Sequence, residues 1–295
     1  MKKRNAIIAG AGVLAILLIV LILCFAGGKG KILVSVPDGK DGLRQQLQTA
    51  LQKEDWKVEF LSAKDQAEQI AEITQKANKG CSGIVVELMM TEGAQELITL
   101  AQEKNIPIVF LNNSPEENLL SLWEKAGFVG TDEEEYAKLL GELASEKDYN
   151  ADGVVSYGVI TGPEGAEGID RFLNALEETL GEKGERLSVS YTEGNKESAL
   201  KETDLLLRRF GKDLEALLYT QENLCIGGWD SILESGRTVG EDLFVFTVGK
   251  GENVSANAVS DEEKIAEKTA QMLKNMENPE TEKSIRIPPI TITAQ

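Results

Sequence analysis

After position 30 the chain alternates short, nearly uninterrupted apolar runs with longer stretches whose apolar residues recur every three to four positions. "KILVSV", "KVEFL", "GIVVEL" and "IPIVFL" are of strand length and rich in β-branched residues, as expected of strands covered on both faces. Between them lie amphipathic stretches of about 12 to 15 residues. The clearest, Asp65 to Gly80, sets Ile70, Ile73 and Ala77 on one helical face and stops at a glycine. The alternation restarts after Asp132, with "VVSYGVI", "LSVSY", "EALLY" and "LFVFTV" as strands and helices expected at 132–146, 165–180, 196–210 and 222–235. A further helix, "DEEKIAEKTAQMLKNM", precedes two short strands, "IRIP" and "ITIT", which meet at a proline pair. Such alternation predicts parallel sheets with helices on both faces, and 295 residues suit two consecutive α/β modules better than one.

The first 30 residues follow a different pattern. Met1-Lys2-Lys3-Arg4 lead into an uncharged, mostly apolar run from Ala6 to Gly28. At ~1.5 Å per residue that run is long enough to cross a ~30 Å hydrocarbon core as a helix. The basic residues ahead of it predict a cytoplasmic start, with the body on the extracytoplasmic face of the cell membrane. The run exceeds the ~7 to 15 apolar residues of a removable signal and lacks a clear small-residue cleavage site, so 1–30 is expected to be an uncleaved transmembrane anchor. Cys24 follows Leu23 rather than a small residue, which makes lipid attachment the lesser reading.

Charge and composition narrow the function. The chain as a whole is ordinary in being 42% hydrophobic and 27% charged, but 49 acidic residues face 31 basic ones, for a net charge of −18. That excess repels phosphate backbones, so no nucleic-acid partner is expected. Histidine is absent, which removes the commonest general base and the commonest zinc ligand, and no enzyme is expected. A carboxylate pair is the one catalytic option that the composition leaves. Cys81 and Cys225 read as buried free thiols, and Trp56, Trp123 and Trp229 as packing residues.

One stretch carries specific chemistry. In "DYNADGVVS", Asp148, Asn150, Asp152, Gly153, Val154 and Ser156 have the oxygen spacing of a calcium loop, D-x-[DN]-x-[DN]-G. The twelfth position, where such a loop ordinarily has its closing carboxylate, is Val159. Calcium takes six to eight oxygens at ~2.3 to 2.6 Å, so the closing ligand must come from elsewhere in the chain. The plain alternative is a polar turn whose Asn-Ala-Asp-Gly suits tight geometry.

From Gly30 onward the chain resembles the type I periplasmic binding proteins, and within them the glucose/galactose-binding branch. The stretches that carry the resemblance are "KILVSV", "IPIVFLNN", "FVGTDEEEYAKLLGEL", "KDYNADGVVSYGVITGPEG" and "IRIPPITI". It implies two Rossmann-like lobes with parallel sheets, joined by a three-stranded hinge. The first lobe is 31–131 plus 261–286; the second, 132–260 plus 287–295, carries the calcium loop. It also implies a small polar ligand, a monosaccharide, taken between the lobes for transport or sensing with an ABC-type permease or a membrane sensor. Structural calcium then has as ligands the side chains of Asp148, Asn150, Asp152 and Ser156, the carbonyl of Val154, and Glu215 as the closing carboxylate. Ser156 replaces an amide that the family uses.

The sugar site implied by the resemblance is incomplete. Asp41 and Asn112 match family sugar ligands in the first lobe, and Gln221 stands where the family has an asparagine in the second. Leu43 replaces a stacking aromatic, and "GPEGAEGIDRF" has no histidine. Ile169 holds an arginine's place, with Arg171 on a different helical face. Asn195 falls near the position of a stacking tryptophan, and Gly249 replaces an aspartate. "KGENVSANAV" is too short for the helix and turn that the family places there. A ligand-degenerate scaffold that docks a permease or a sensor kinase is therefore the alternative function.

Overall fold

The computed structural model describes residues 29–166 and 168–293. The expected anchor at 6–28 lies outside the described residues. Among the described residues no helix is long and apolar enough to cross a membrane.

The chain forms two compact units. One runs to Val129 and resumes over Glu262–Ile285; the other comprises Gly130–Asp261 and the residues from Arg286 on. Along the chain, the first unit contains β1 (Lys31–Ser35), α1 (Asp41–Lys53), β2 (Lys57–Leu61), α2 (Gln66–Ala77), β3 (Gly83–Val86), α3 (Ala94–Lys104), β4 (Ile108–Leu111), α4 (Glu117–Leu120) and β5 (Ala126–Gly130). The second contains α5 (Glu133–Ala144), β6 (Val155–Thr161), α6 (Ile169–Leu180), β7 (Gly184–Tyr191), α7 (Lys196–Phe210), β8 (Ala216–Tyr219), α8 (Glu222–Glu234), β9 (Phe244–Val248) and β10 (Ala256–Val259). Then α9 (Glu262–Asn275) and β11 (Ser284–Arg286) return to the first unit, and β12 (Ile290–Ile292) to the second.

Each unit is built on a six-stranded sheet, in the orders β11-β5-β4-β3-β1-β2 and β12-β10-β9-β8-β6-β7. In the first sheet, β2, β1, β3, β4 and β5 pair in parallel. In the second, β7, β6, β8, β9 and β10 are parallel and β12 adds an antiparallel edge. Every residue of β3 and β4 is buried, which is why these strands read as unbroken apolar runs. Leu33, Ile84, Val86, Phe110 and Phe128 pack against Ile73, Leu97, Ile98 and Ala101 to form the core of the first unit. In the second, Val155, Tyr157, Val159, Leu218 and Phe246 pack against Leu140, Phe172 and Leu176.

Three expectations change. In α2, Ile73 and Ala77 are buried and Ile70 is half-buried, but the face also buries Gln69, whose amide is fully occupied by other groups. Helix α6 starts at Ile169 rather than 165, because Gly165 and Gly168 have φ of +76° and +84°, a region where only glycine sits without strain. Cys225 is buried as expected, and burial pushes its thiol up to about 12, whereas Cys81 is only half-buried.

Seven residues, 249–255, join the parallel neighbours β9 and β10 without a helix, although a parallel crossover ordinarily takes a dozen residues or more. Side-chain hydrogen bonds hold the short connection. The buried Asn257 amide accepts from Gly251 N at 2.7 Å and donates to Gly251 O at 3.1 Å. Ser255 bridges back to Val245, its N donating to the Val245 carbonyl at 2.7 Å and its Oγ accepting from Val245 N at 3.0 Å.

Candidate functional site

The carboxyl ends of β1, β3 and β4 lie side by side in the first sheet, and the residues that follow them make a polar cluster above an apolar core. Glu87 follows β3 and is only 4% exposed. Its backbone is fixed from two directions: its N donates to Ser35 O at 2.9 Å, and its carbonyl accepts from Gln69 Nε2 at 2.9 Å, the same amide that reaches Ser35 Oγ at 3.0 Å. Oε1 of Glu87 is 3.6 Å from Lys40 Nζ, and Oε2 has no hydrogen-bond partner among the described residues. Burial raises its carboxyl above the usual carboxylate range; Lys40 and the Asn112 side chain work against that, and Glu262 works with it.

Asn112 directly follows β4 with φ of +53°, a left-handed conformation that asparagine tolerates better than most residues. Its Oδ1 is buried and also lacks a partner among the described residues. The next residue, Asn113, donates Nδ2 to Leu88 O at 2.6 Å and so ties the β4 loop to the β3 loop. Asp41 is the first residue of α1 and is exposed, rather than in the loop before it. Leu43, two positions on, is 1% exposed and part of the core, so no aromatic face is presented there. A groove of about 520 Å³ lies on the helix layer, lined by Ala67, Ile70, Thr74, Asn78 and Glu96, and contains none of these residues.

Of the residues expected in the second unit, Gln221 is at the N-cap of α8, exposed and without a capping bond of its own. Ile169 is buried at the start of α6, and Arg171 pairs with Glu133. Asn195 caps α7, its Oδ1 accepting from Ser198 N at 2.9 Å. Trp56 is buried, Trp123 donates Nε1 to Ile106 O at 3.0 Å, and Trp229 packs against the core of its unit.

The 148–156 loop folds on its own oxygens. Asp148 Oδ2 accepts from Gly153 N at 2.7 Å, Asn150 Oδ1 from Asp152 N at 2.8 Å, and Asp152 Oδ1 from Val154 N at 2.9 Å. Ala151 and Gly153 turn the chain with φ of +60° and +96°. Glu215, immediately before β8 and 1% exposed, reaches the same loop. Its Oε1 accepts from Asn150 N at 3.0 Å and its Oε2 from Ser156 N at 2.8 Å. The donor set is all oxygen, each carboxylate has lone pairs to spare, and Asp148 Oδ1 is buried without a partner. These features fit a hard cation such as calcium. As they stand, no three His, Cys, Asp or Glu side chains among the described residues are grouped closely enough to hold a metal ion.

The sequence reading missed Glu87, Lys40 and Gln69. A signal for Glu87 was available: it is the one charge in the run "GIVVEL", at the end of a strand buried on both faces.

The sequence profile of the periplasmic binding protein domain matches residues 32–278. The D-galactose/methyl-galactoside binding periplasmic protein MglB of Haemophilus influenzae is 25% identical over 182 residues, 58% of this chain and 54% of that protein. The chain thus spans about half the length of that relative. Among solved structures, the periplasmic ribose ABC transporter of Conexibacter woesei superposes with a TM-score of 0.76 at 17% identity, over 91% of this chain and 93% of the other. GanP, a glucose-galactose binding protein of Geobacillus stearothermophilus, superposes with a TM-score of 0.69 at 14% identity, over 89% and 96%. At these identities the structural likeness shows the fold.

Proposed function

The chain belongs to the periplasmic binding protein domain family, and on that premise we propose that it is an extracytoplasmic solute-binding protein, not an enzyme, that takes a monosaccharide for an ABC-type permease or a membrane sensor. In this reading residues 1–30 tether it to the cell membrane, and Asp41, Asn112 and Gln221 contact the ligand. Support for a galactose-like solute comes from the MglB relative. The observation that carries the reading is the polar edge of the first sheet, where Asn112 Oδ1 and Glu87 Oε2 are buried acceptors without donors. Parallel α/β sheets bind ligands at their strands' carboxyl ends, and buried polar atoms elsewhere in a protein are nearly all paired.

A second reading, a scaffold that no longer holds sugar and docks a permease or sensor kinase, is favoured by Leu43 in the core and Asn195 spent as a helix cap. Thermal melts of the full chain in mild detergent, titrated with a panel of hexoses and pentoses, separate the two. A rise in melting temperature with one sugar, lost in Asn112→Ala, is expected. A flat response to every sugar favours the scaffold.

The same proposal assigns calcium a structural role at Asp148, Asn150, Asp152, the Val154 carbonyl, Ser156 and Glu215. The ion would supply charge balance and bring the loop oxygens together, stabilising the folded state by mass action. Millimolar calcium is expected to raise the melting temperature and chelator to lower it, and both responses should vanish in Asp148→Asn/Asp152→Asn. An unchanged melt in calcium and in chelator removes the metal from the proposal.

A further inference from the structure

From the polar edge of the first sheet we infer that the solute carries an amino group, received by Glu87 together with Asn112; this rests on the solute-binding reading above. The two unsatisfied atoms at the edge, Glu87 Oε2 and Asn112 Oδ1, are both acceptors. A sugar hydroxyl offers one donor and brings acceptor lone pairs of its own, whereas an ammonium group offers three donors and no acceptor. Two buried acceptors without donors, on the loops after the paired strands β3 and β4, therefore match an ammonium better than a hydroxyl.

Charge points the same way. Lys40 and Glu262 act on the Glu87 carboxyl with opposite signs, so a second carboxylate offsets the lysine. Glu262 reaches over Gly42 at the start of α1, where an added Cβ would meet its Oε2 at 2.4 Å. Lys40 approaches from solvent, with its side chain 46% exposed, and comes nearest at Oε1, at the long separation of 3.6 Å. A buried carboxylate with a distant, exposed counter-ion retains most of its attraction for a second cation. Lys40 itself shows that an ammonium can approach this carboxyl.

The carboxylate is also held in place for a ligand. Ser35, Gln69 and the Glu87 backbone form a bonded triangle across β1, α2 and β3, which fixes the side chain's root without using its oxygens. A structural glutamate at this depth would have both oxygens paired, as Glu215 does in the other unit.

Calorimetric titration of the full chain in mild detergent with D-galactose, D-galactosamine and N-acetyl-D-galactosamine tests the inference. Acetylation removes the charge and keeps the bulk. Galactosamine is expected to bind about tenfold tighter than either neutral sugar, the usual size of one charge-assisted hydrogen bond. Glu87→Gln should reduce that preference to about twofold or less. Its melting temperature, no lower than wild type, shows that the fold is intact. Lys40→Met, which removes the competing ammonium, should tighten galactosamine and leave galactose unchanged. Equal affinity for the amine and the neutral sugars, or a preference that persists in Glu87→Gln, overturns the inference while leaving the binding reading in place. A folded chain that binds none of the three, and no sugar of the hexose and pentose panel, overturns both.

Discussion

Two buried glutamates, one in each unit, show how the same side chain serves two purposes. Glu215 is 1% exposed and Glu87 4%. Each is anchored by its backbone to neighbouring strands. Glu215 precedes its strand, and both carboxylate oxygens are paired with N–H groups of the 148–156 loop. Glu87 follows its strand; one oxygen has a distant lysine and the other has no partner. A buried charge that is fully bonded is costly to remove, because its partners are left unpaired, and one left half-bonded costs the fold stability. The amino ends of parallel strands can be closed off in the first way. The carboxyl ends, where ligands bind, keep the second.

The largest expected effect comes from breaking the satisfied member. Glu215→Ala leaves Asn150 N and Ser156 N without their acceptor and cuts the loop from β8. The cost is about 3 to 6 kcal/mol, since each of the two hydrogen bonds to a charged group contributes ~1.5 to 3. With ~2 to 4 °C per kcal/mol for a unit of this size, differential scanning calorimetry should show the second unit melting roughly 10 °C lower. A change within a degree of wild type would mean that the loop does not depend on this carboxylate. Asn257→Ala is a smaller version of the same test. It removes both bonds that hold the helix-free connection at Gly251, at an expected ~1 to 3 kcal/mol, again confined to the second unit.

Glu87 should respond with the opposite sign. Its folded carboxyl titrates above its unfolded one because of burial, with Lys40 and Asn112 opposing and Glu262 adding. The folded state therefore keeps its proton to higher pH than the unfolded state does, and stability falls as pH rises from the unfolded value through the raised folded one. Glu87→Gln is neutral throughout, so it should melt above wild type at pH 7 and converge on it near pH 4. A variant that melts lower than wild type at pH 7 would place Glu87 with Glu215 as a structural residue and erase the contrast.

Strand β3 was legible because both of its faces are buried, so every residue of "GIVV" had to be apolar. Strand β10, "ANAV", was not, because it is made mainly of small and polar residues and its buried asparagine serves the preceding loop. Gln69 broke the apolar face of α2 for a similar reason: its partners, Ser35 and Glu87, are 34 and 18 residues away and invisible to periodicity. The oxygens of the 148–156 loop could be read directly because they are consecutive. The meeting of that loop with Glu215, 59 residues beyond Ser156, came from family resemblance and not from spacing. Glu87 was overlooked as one of 49 acidic residues, because what distinguishes it is burial, which the sequence expressed only through its apolar neighbours.

The smallest effect concerns a carboxylate satisfied near the surface. Glu59 on β2 bonds Lys31 at 2.6 Å and also Lys76, and these two lysines, Lys31 foremost, bring its carboxyl down to about 2 from 4.5. The unfolded chain thus takes up this proton before the folded one does. The pair's contribution is complete above about pH 4.5 and is lost as pH falls toward about 2. Because the carboxylate is 27% exposed, solvent screens it, and the contribution is expected below ~1 kcal/mol. Melting temperatures of wild type and Glu59→Gln should differ by a degree or two at pH 6 and converge as pH falls through about 2. If the gap widens on acidification, the lysines are not what stabilises this carboxylate, and hydrogen bonding alone does not separate the surface glutamate from the half-bonded Glu87.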